Sequence, residues 1–282
     1  MEGCESDRLS GVRTSGDRAI MESPFGKNNS ALGSLFMAEM AEGKGRFVDQ
    51  IINGVFASCE MTSWALSAHL GLQKVGGCFP SYEEHVIDLG SGNLASQLSW
   101  IYYYLKPSFD KVNPLISKRL RHELQVRILD TYMNEDHFWW MAFNLKPGGL
   151  VNNWNPWCNF NVLQCFFLLE NDRDKLAKAV YRTMTSVDHF INYTHGDGGC
   201  EEGPSYWDNA AEDVRLSADA FWTGQVVKSP YSISLSLRIW VNILPALMWG
   251  TAGWSTLPML LPKEEGMPIS FSGMGKQSKA LL

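Results

Sequence analysis

The sequence has no run of basic residues, and its 24 lysines and arginines fall short of its 30 aspartates and glutamates, for a net charge of −6. A nucleic-acid partner needs a basic face to neutralise phosphates, so that class of function is set aside. Net charge says nothing about a single cleft, and an anionic polymer stays compatible with a local site. Charged residues are scarce at 19% against 45% hydrophobic, which excludes wholesale disorder and describes a globular chain. The six cysteines (4, 59, 78, 158, 165 and 200) include no CxxC pair and no zinc-ligand spacing, so they read as buried free thiols. No metal ligand set and no cofactor motif is found. The opening "MEGCESDRLSGVRTSGDRAIM" has acids and arginines where a signal peptide needs an apolar block. The expectation is a cytoplasmic protein or a start that lies further upstream.

Alternating strand patterns are also rare, and helical periodicity takes their place. Residues 1–30 are polar and rich in Gly, Ser and Arg, and read as a loosely ordered lead-in. From 31 to 212 apolar residues recur at helical spacing: Leu94, Leu98, Ile101, Tyr102 and Leu105; Leu120, Leu124, Ile128 and Tyr132; Val162, Cys165, Phe166 and Leu169; Leu176, Val180, Thr183, Val187 and Phe190. This predicts an all-α fold. The connections "KPSFDKVNP" (106–114) and "NDRDK" (171–175) are plain polar turns. Those at 71–93, 144–156 and 194–207 carry aromatics, amides and acids. Helices joined by short links run antiparallel, which places the three rich loops at one end of the molecule. Function concentrates on loops held by a rigid scaffold, so this rim is the expected site.

Two stretches on the rim stand out. "VNNWNPWCNFN" (151–161) puts Asn152, Asn153 and Trp154 just before Pro156, a residue favoured in the first turn of a helix. "DGGCEEGPSYW" (197–207) places Ser205 to cap a helix starting at Tyr206 or Trp207. Helix N-termini carry unpaired N–H groups and a partial positive charge that favour an anion such as a carboxylate. Each motif alone also reads as an ordinary capping loop with packed aromatics.

Residues 31–211 resemble the heparinase II/III-like family of polysaccharide lyases. The resemblance is carried by "ALGSLFMAEMAEGKGRFVDQIINGVFASCEMTSW", "IDLGSGNLASQLSWIYYYL", "RHELQVRILDTYMNEDHFWWM", "NNWNPWCN" and "DGGCEEGPSYW". It implies an (α/α) toroid whose rim holds an acidic polysaccharide such as a heparin- or heparan-sulfate-like glycan. It also implies β-elimination at a uronic acid. By that resemblance Tyr206 takes the place of the catalytic tyrosine, and Asn152 or Asn153 that of the amide contacting the substrate carboxylate. Trp154, Asn155, Trp157, Glu202 and Trp207 are the implied substrate-binding residues, with Glu60, His69 and Asp88 drawn from similar segments nearer the N-terminus. For these three a buried structural pairing is an equal reading. Family members are usually exported.

Beyond residue 212 the pattern changes. Residues 213–282 lose the helical register, and the family's further helices and C-terminal β-sandwich have no counterpart, so the expected fold is an incomplete toroid of antiparallel helical hairpins. A truncated or frame-shifted product accounts for this, and both an active lyase and an inactive fragment are compatible with it. Residues 239–261 carry no charge over a length that could span a bilayer, although Pro245, Gly250, Gly253 and Pro258 interrupt them. Two other functions stay open: a carbohydrate-binding protein without turnover, and a glycoside hydrolase on an (α/α) barrel. Hydrolysis needs paired carboxylates, for which Glu201 and Glu202 or Glu83 and Glu84 are the adjacent rim acids.

Overall fold

Helices account for most of the described residues. A computed structural model describes residues 5–77 and 79–194, which lie within one compact unit. The described residues form eight α-helices and no strand, so the all-α expectation holds. They are α1 (Glu5–Ser15), α2 (Ala19–Glu42), α3 (Val48–Glu60), α4 (Leu89–Val112), α5 (Pro114–Leu124), α6 (Thr131–Asn134), α7 (Trp154–Leu169) and α8 (Arg173–Tyr193). Short 3-10 turns occupy Ser67–Leu72 and Trp139–Met141, and a π turn at Gln125–Asp130 joins α5 to α6.

Local chemistry sets the boundaries. Asp88 caps α4 through a reciprocal pair: its Oδ1 accepts from Ser91 N at 2.8 Å, and its own N–H donates to Ser91 Oγ at 2.8 Å. Asn113 caps α5 with Pro114 at its first position, and Asp172 caps α8 by accepting from the N–H groups of Asp174 and Lys175. Gly43 closes α2 at φ 65°, a left-handed conformation that a side chain would oppose.

Two sequence expectations change here. The segment 106–114 is not a turn: α4 runs through Pro107 to Val112, and Asn113 alone links it to α5. Pro107 removes one backbone donor, but Leu105 and Phe109, both buried, sit four residues apart on the core face and keep the helix in register. Likewise, residues 5–15 and 19–42 are helical rather than a loose lead-in. Met21 and Phe25 pack against the core, and Leu32 and Phe36 are buried within it.

The side-chain pairings give the helix directions. Gln97 reaches Asn29 O, Asn93 bonds Asn161, and Ser96 and Trp100 both bond Gln164, so α2, α4 and α7 run parallel to one another. Arg121 meets Leu169 O while Tyr132 meets Asn159, so α5–α6 run opposite to α7. Asn155 and Asn159 both meet Ser186, and Tyr132 meets Thr183, which sets α8 against α7 as well. Arg119 and Arg127 reach Cys59 O and Met61 O, placing α3 parallel to α5. One row of helices thus points one way and a second row points back. The N-termini of α4 and α7 and the C-termini of α3, α6 and α8 share one end.

The core fills the space between the rows. Leu120, Leu124, Ile128 and Tyr132 are all fully buried. A strict four-residue spacing drifts by about 40° per step on a helix of 3.6 residues per turn. The π turn at 125–130 widens the helix and brings Ile128 and Tyr132 back to the same face. Cys59, Cys158 and Cys165 are buried free thiols, and burial pushes those of Cys59 and Cys165 up to about 12. The other three cysteines, and the whole of 195–282 including the apolar stretch 239–261, lie outside the described residues. Among the described residues no helix is long and apolar enough to cross a membrane.

Candidate functional site

The shared end carries the long connections 61–88 and 135–153, and they converge on the first turns of α4 and α7. Asp88, fully buried at the head of α4, is the fixed point. Its Oδ2 accepts from Leu66 N at 3.0 Å and pairs with His69 Nδ1 at 2.6 Å. The imidazole of His69 lies 4.5 Å, centroid to centroid, from the indole of Trp154 in the first turn of α7. Trp154 in turn meets Trp139 at 5.1 Å, and Trp139 is exposed on the rim. One line of contact therefore runs from a buried carboxylate through an imidazole to two indoles.

This approach needs a glycine. A Cβ on Gly90 would stand 2.7 Å from Leu66 Cγ, so Leu66 and the His69 turn can lie on α4 only because position 90 has no side chain. Gly90→Ala is expected to destabilise the protein by about 1–3 kcal/mol through overpacking, read as a lower midpoint in urea.

A second set of polar contacts lies on the same face of α7. Trp157 Nε1 donates to Asn93 Oδ1 at 2.7 Å, and Asn161 Nδ2 donates to the same oxygen at 2.8 Å. Residues 154, 157 and 161 recur at the spacing of one helix face, and 155, 159, 162 and 166 occupy another. Asn155 belongs to that second face. It is 0% exposed, and its Nδ2 donates to Trp140 O (2.8 Å) and Ser186 O (3.0 Å). Its expected place in the substrate groove is therefore corrected to an interior brace.

Asn152 and Asn153 differ. The Oδ1 of Asn152 accepts from Trp154 N at 3.1 Å and so caps the first turn of α7. Asn153 is only 3% exposed, and its Oδ1 is buried without a hydrogen-bond partner. Buried polar atoms in that condition are uncommon, and among the described residues Asn155 Oδ1, Ser67 Oγ and Ser99 Oγ share it.

Around this centre the loops are tied by charge. Lys74 Nζ meets Glu135 at 2.6 Å, His137 meets Glu135 at 2.9 Å and Leu72 O at 3.2 Å, and Glu84 accepts from Lys74 N at 2.7 Å. The bond from Lys74 holds the Glu135 carboxyl below the usual carboxylate range. Beneath the rim, Arg127 lies over Trp64 at 5.1 Å and donates to the carbonyls of Met61 and Thr62. His85 lines a small pocket beside it, and burial pushes its imidazole down. Among the described residues no cluster of His, Cys, Asp and Glu has the makings of a metal site.

Of the residues singled out in the sequence, His69, Asp88, Asn152, Asn153, Trp154 and Trp157 gather at this rim. Glu60 is exposed at the end of α3, on the same end of the molecule. Tyr206, Glu202 and Trp207 lie outside the described residues, as does Glu201. Trp139, Asn93 and Asn161 were not singled out; the doubled indole in "HFWWM" and the amide repeat within 152–161 were the available signals. The chain matches no protein-family model, and no curated protein matches it.

Proposed function

We propose that the chain is a polysaccharide lyase-like protein that takes uronic-acid glycans and cleaves them by β-elimination. Its two rows of helices are read as part of an (α/α) toroid, in which helices of one row run parallel and alternate with a row running back. The observation that carries the reading is the unpartnered side-chain oxygen of Asn153, buried at the head of α7 beside Trp154.

An amide can turn about its last bond and offer N–H where oxygen stood. A uronate carboxylate would accept it without a second titratable group being buried. That bond strengthens as the C5 proton leaves and charge builds on the carboxylate oxygens, which is transition-state stabilisation of the oxyanion type. The positive end of the α7 dipole acts in the same direction. Trp154 and Trp139 supply flat apolar faces for sugar rings. Tyr206, outside the described residues, is the candidate for passing a proton to the leaving glycosidic oxygen. Of the acid pairs weighed for hydrolysis, Glu84 accepts from Lys74 N and Glu83 from Tyr82, while Glu201 and Glu202 lie outside the described residues.

The test is incubation of the full chain with a panel of uronate polymers, followed by the absorbance of an unsaturated uronate. Asn153→Ala is expected to lower kcat by about 10²–10³ with the fold intact. New reducing ends without that absorbance would identify a hydrolase. Glycan binding with no product from any polymer would identify a binding protein.

A further inference from the structure

Among the described residues of this rim, His69 is held through one ring nitrogen and open at the other. Asp88 accepts from Leu66 N and Ser91 N as well as pairing with the imidazole, an arrangement suited to an ionised carboxylate, which has no proton to give. The proton between Asp88 Oδ2 and His69 Nδ1 therefore sits on the nitrogen. In the neutral ring that leaves the lone pair on Nε2, and Nε2 has no hydrogen-bond partner among the described residues. The side chain is 13% exposed: held on one edge, reachable on the other. A carboxylate that fixes an imidazole through Nδ1 and leaves Nε2 free is the arrangement that makes histidine a proton acceptor.

The surroundings fit that task better than a packing role. The ring lies against Trp154, the next residue after Asn153, whose buried Oδ1 has no partner. His137, the other described histidine tied into the rim loops, contrasts with it. Its two nitrogens are both engaged, with Glu135 and with Leu72 O. His85, in the pocket beneath, is pushed down by burial.

We propose that His69 is the general base of the site, with Asp88 as its positioning residue. This rests on the lyase reading above. In the step assigned to it, the C5–H bond of a uronate seated at Trp154 breaks and the proton passes to Nε2. The electron pair forms the C4=C5 double bond as C4–O4 breaks, and O4 leaves with a proton taken from the solvent or a nearby acid. The His69 imidazolium, paired with Asp88, then returns its proton to water.

The experiment uses the full chain, the polymer that gives unsaturated product, and two variants with free imidazole added. His69→Ala is expected to lose about 10²–10⁴ in kcat with little change in KM, the usual worth of a positioned base. Imidazole in the buffer restores part of the rate by occupying the vacated space. Asp88→Asn keeps a good helix cap while offering an N–H to Nδ1, so it also lowers kcat, and imidazole does not restore it. Near-native circular dichroism and urea midpoints show that the variants fold. If His69→Ala keeps its kcat, or loses it beyond rescue while folded, His69 is not the base, and the lyase reading stands on the parent's product. If the parent makes no unsaturated product from any polymer, both readings fall together.

Discussion

Replacing Trp140 by alanine is expected to cost about 3–5 kcal/mol, the largest single loss among side chains near the site. The indole is 0% exposed and lies between Tyr132 and Phe138, with ring centroids at 6.4 and 6.0 Å and planes within 15°. Its N–H donates to Ile87 O at 2.9 Å, one residue before Asp88, and its own carbonyl accepts from Asn155. Alanine would leave a cavity between the two rings and a buried carbonyl without its donor. Natural domains are stable by only about 5–15 kcal/mol, so the variant should unfold at a much lower urea concentration. Trp140→Phe separates the contributions: it keeps most of the ring and loses the bond to Ile87, for about 1–3 kcal/mol. A urea midpoint for the alanine variant close to that of the parent would show that the ring is not part of the core.

The second large effect is expected at Arg127. Its Nε donates to Glu123 at 2.6 Å, while its terminal nitrogens satisfy the carbonyls of Met61 and Thr62 where the chain leaves α3 for the rim. Arg127→Met keeps much of the volume but leaves two carbonyls and a buried carboxylate short of a donor. Removing one partner of a buried ion pair costs about 3–5 kcal/mol, and the lower end applies because Arg119 still donates to Glu123. Burial pushes the Glu123 carboxyl up, and the Arg127 and Arg119 guanidiniums outweigh it, so the group sits below the usual carboxylate range. A carboxyl depressed on folding stabilises the protein above its unfolded value, and that contribution is lost as pH falls through the folded one. Without Arg127 burial is opposed less, the folded value rises toward the unfolded one, and less Tm is lost on acidification, so the variant's deficit is largest near neutral pH and narrows in acid. Melting curves across the acidic range read both effects. Parallel Tm–pH profiles for variant and parent would show that the pair carries no such linkage.

The sequence disclosed those parts of the fold that follow from period and link length. Leu120, Leu124, Ile128 and Tyr132 could be assigned to the core from spacing alone, and short connections required antiparallel neighbours, which grouped the loops at 71–93 and 144–156 at one end, while the third, at 194–207, lies beyond the described residues but for Thr194. The persistence of α4 through Pro107 was hidden, because the local penalty of a proline is visible in the sequence while the compensating burial of Phe109 is tertiary. The helices at 5–15 and 19–42 were hidden for a similar reason: their polar composition says little until Met21, Phe25, Leu32 and Phe36 find a surface. Within the site, a string of asparagines has no intrinsic direction. Whether an amide caps, braces the interior or keeps a buried oxygen without a partner depends on the turn of α7, and only coordinates show Asn152 in the first role, Asn155 in the second, and Asn153 and Asn155 both in the third. The pairing of His69 with Asp88 spans a connection whose path no periodicity describes.

Slack is spread unevenly through this chain. At the end opposite the site, Asn113 alone joins α4 to α5 and a three-residue link joins α7 to α8, so neighbouring helices there are stapled in register. At the other end, generous lengths of backbone wander between anchor points before re-entering the bundle. Insertions, deletions and residue exchanges can accumulate on that side without re-threading a single helix. A scaffold so arranged lends itself to retailoring: what the rim accepts can drift while the frame beneath it stays put.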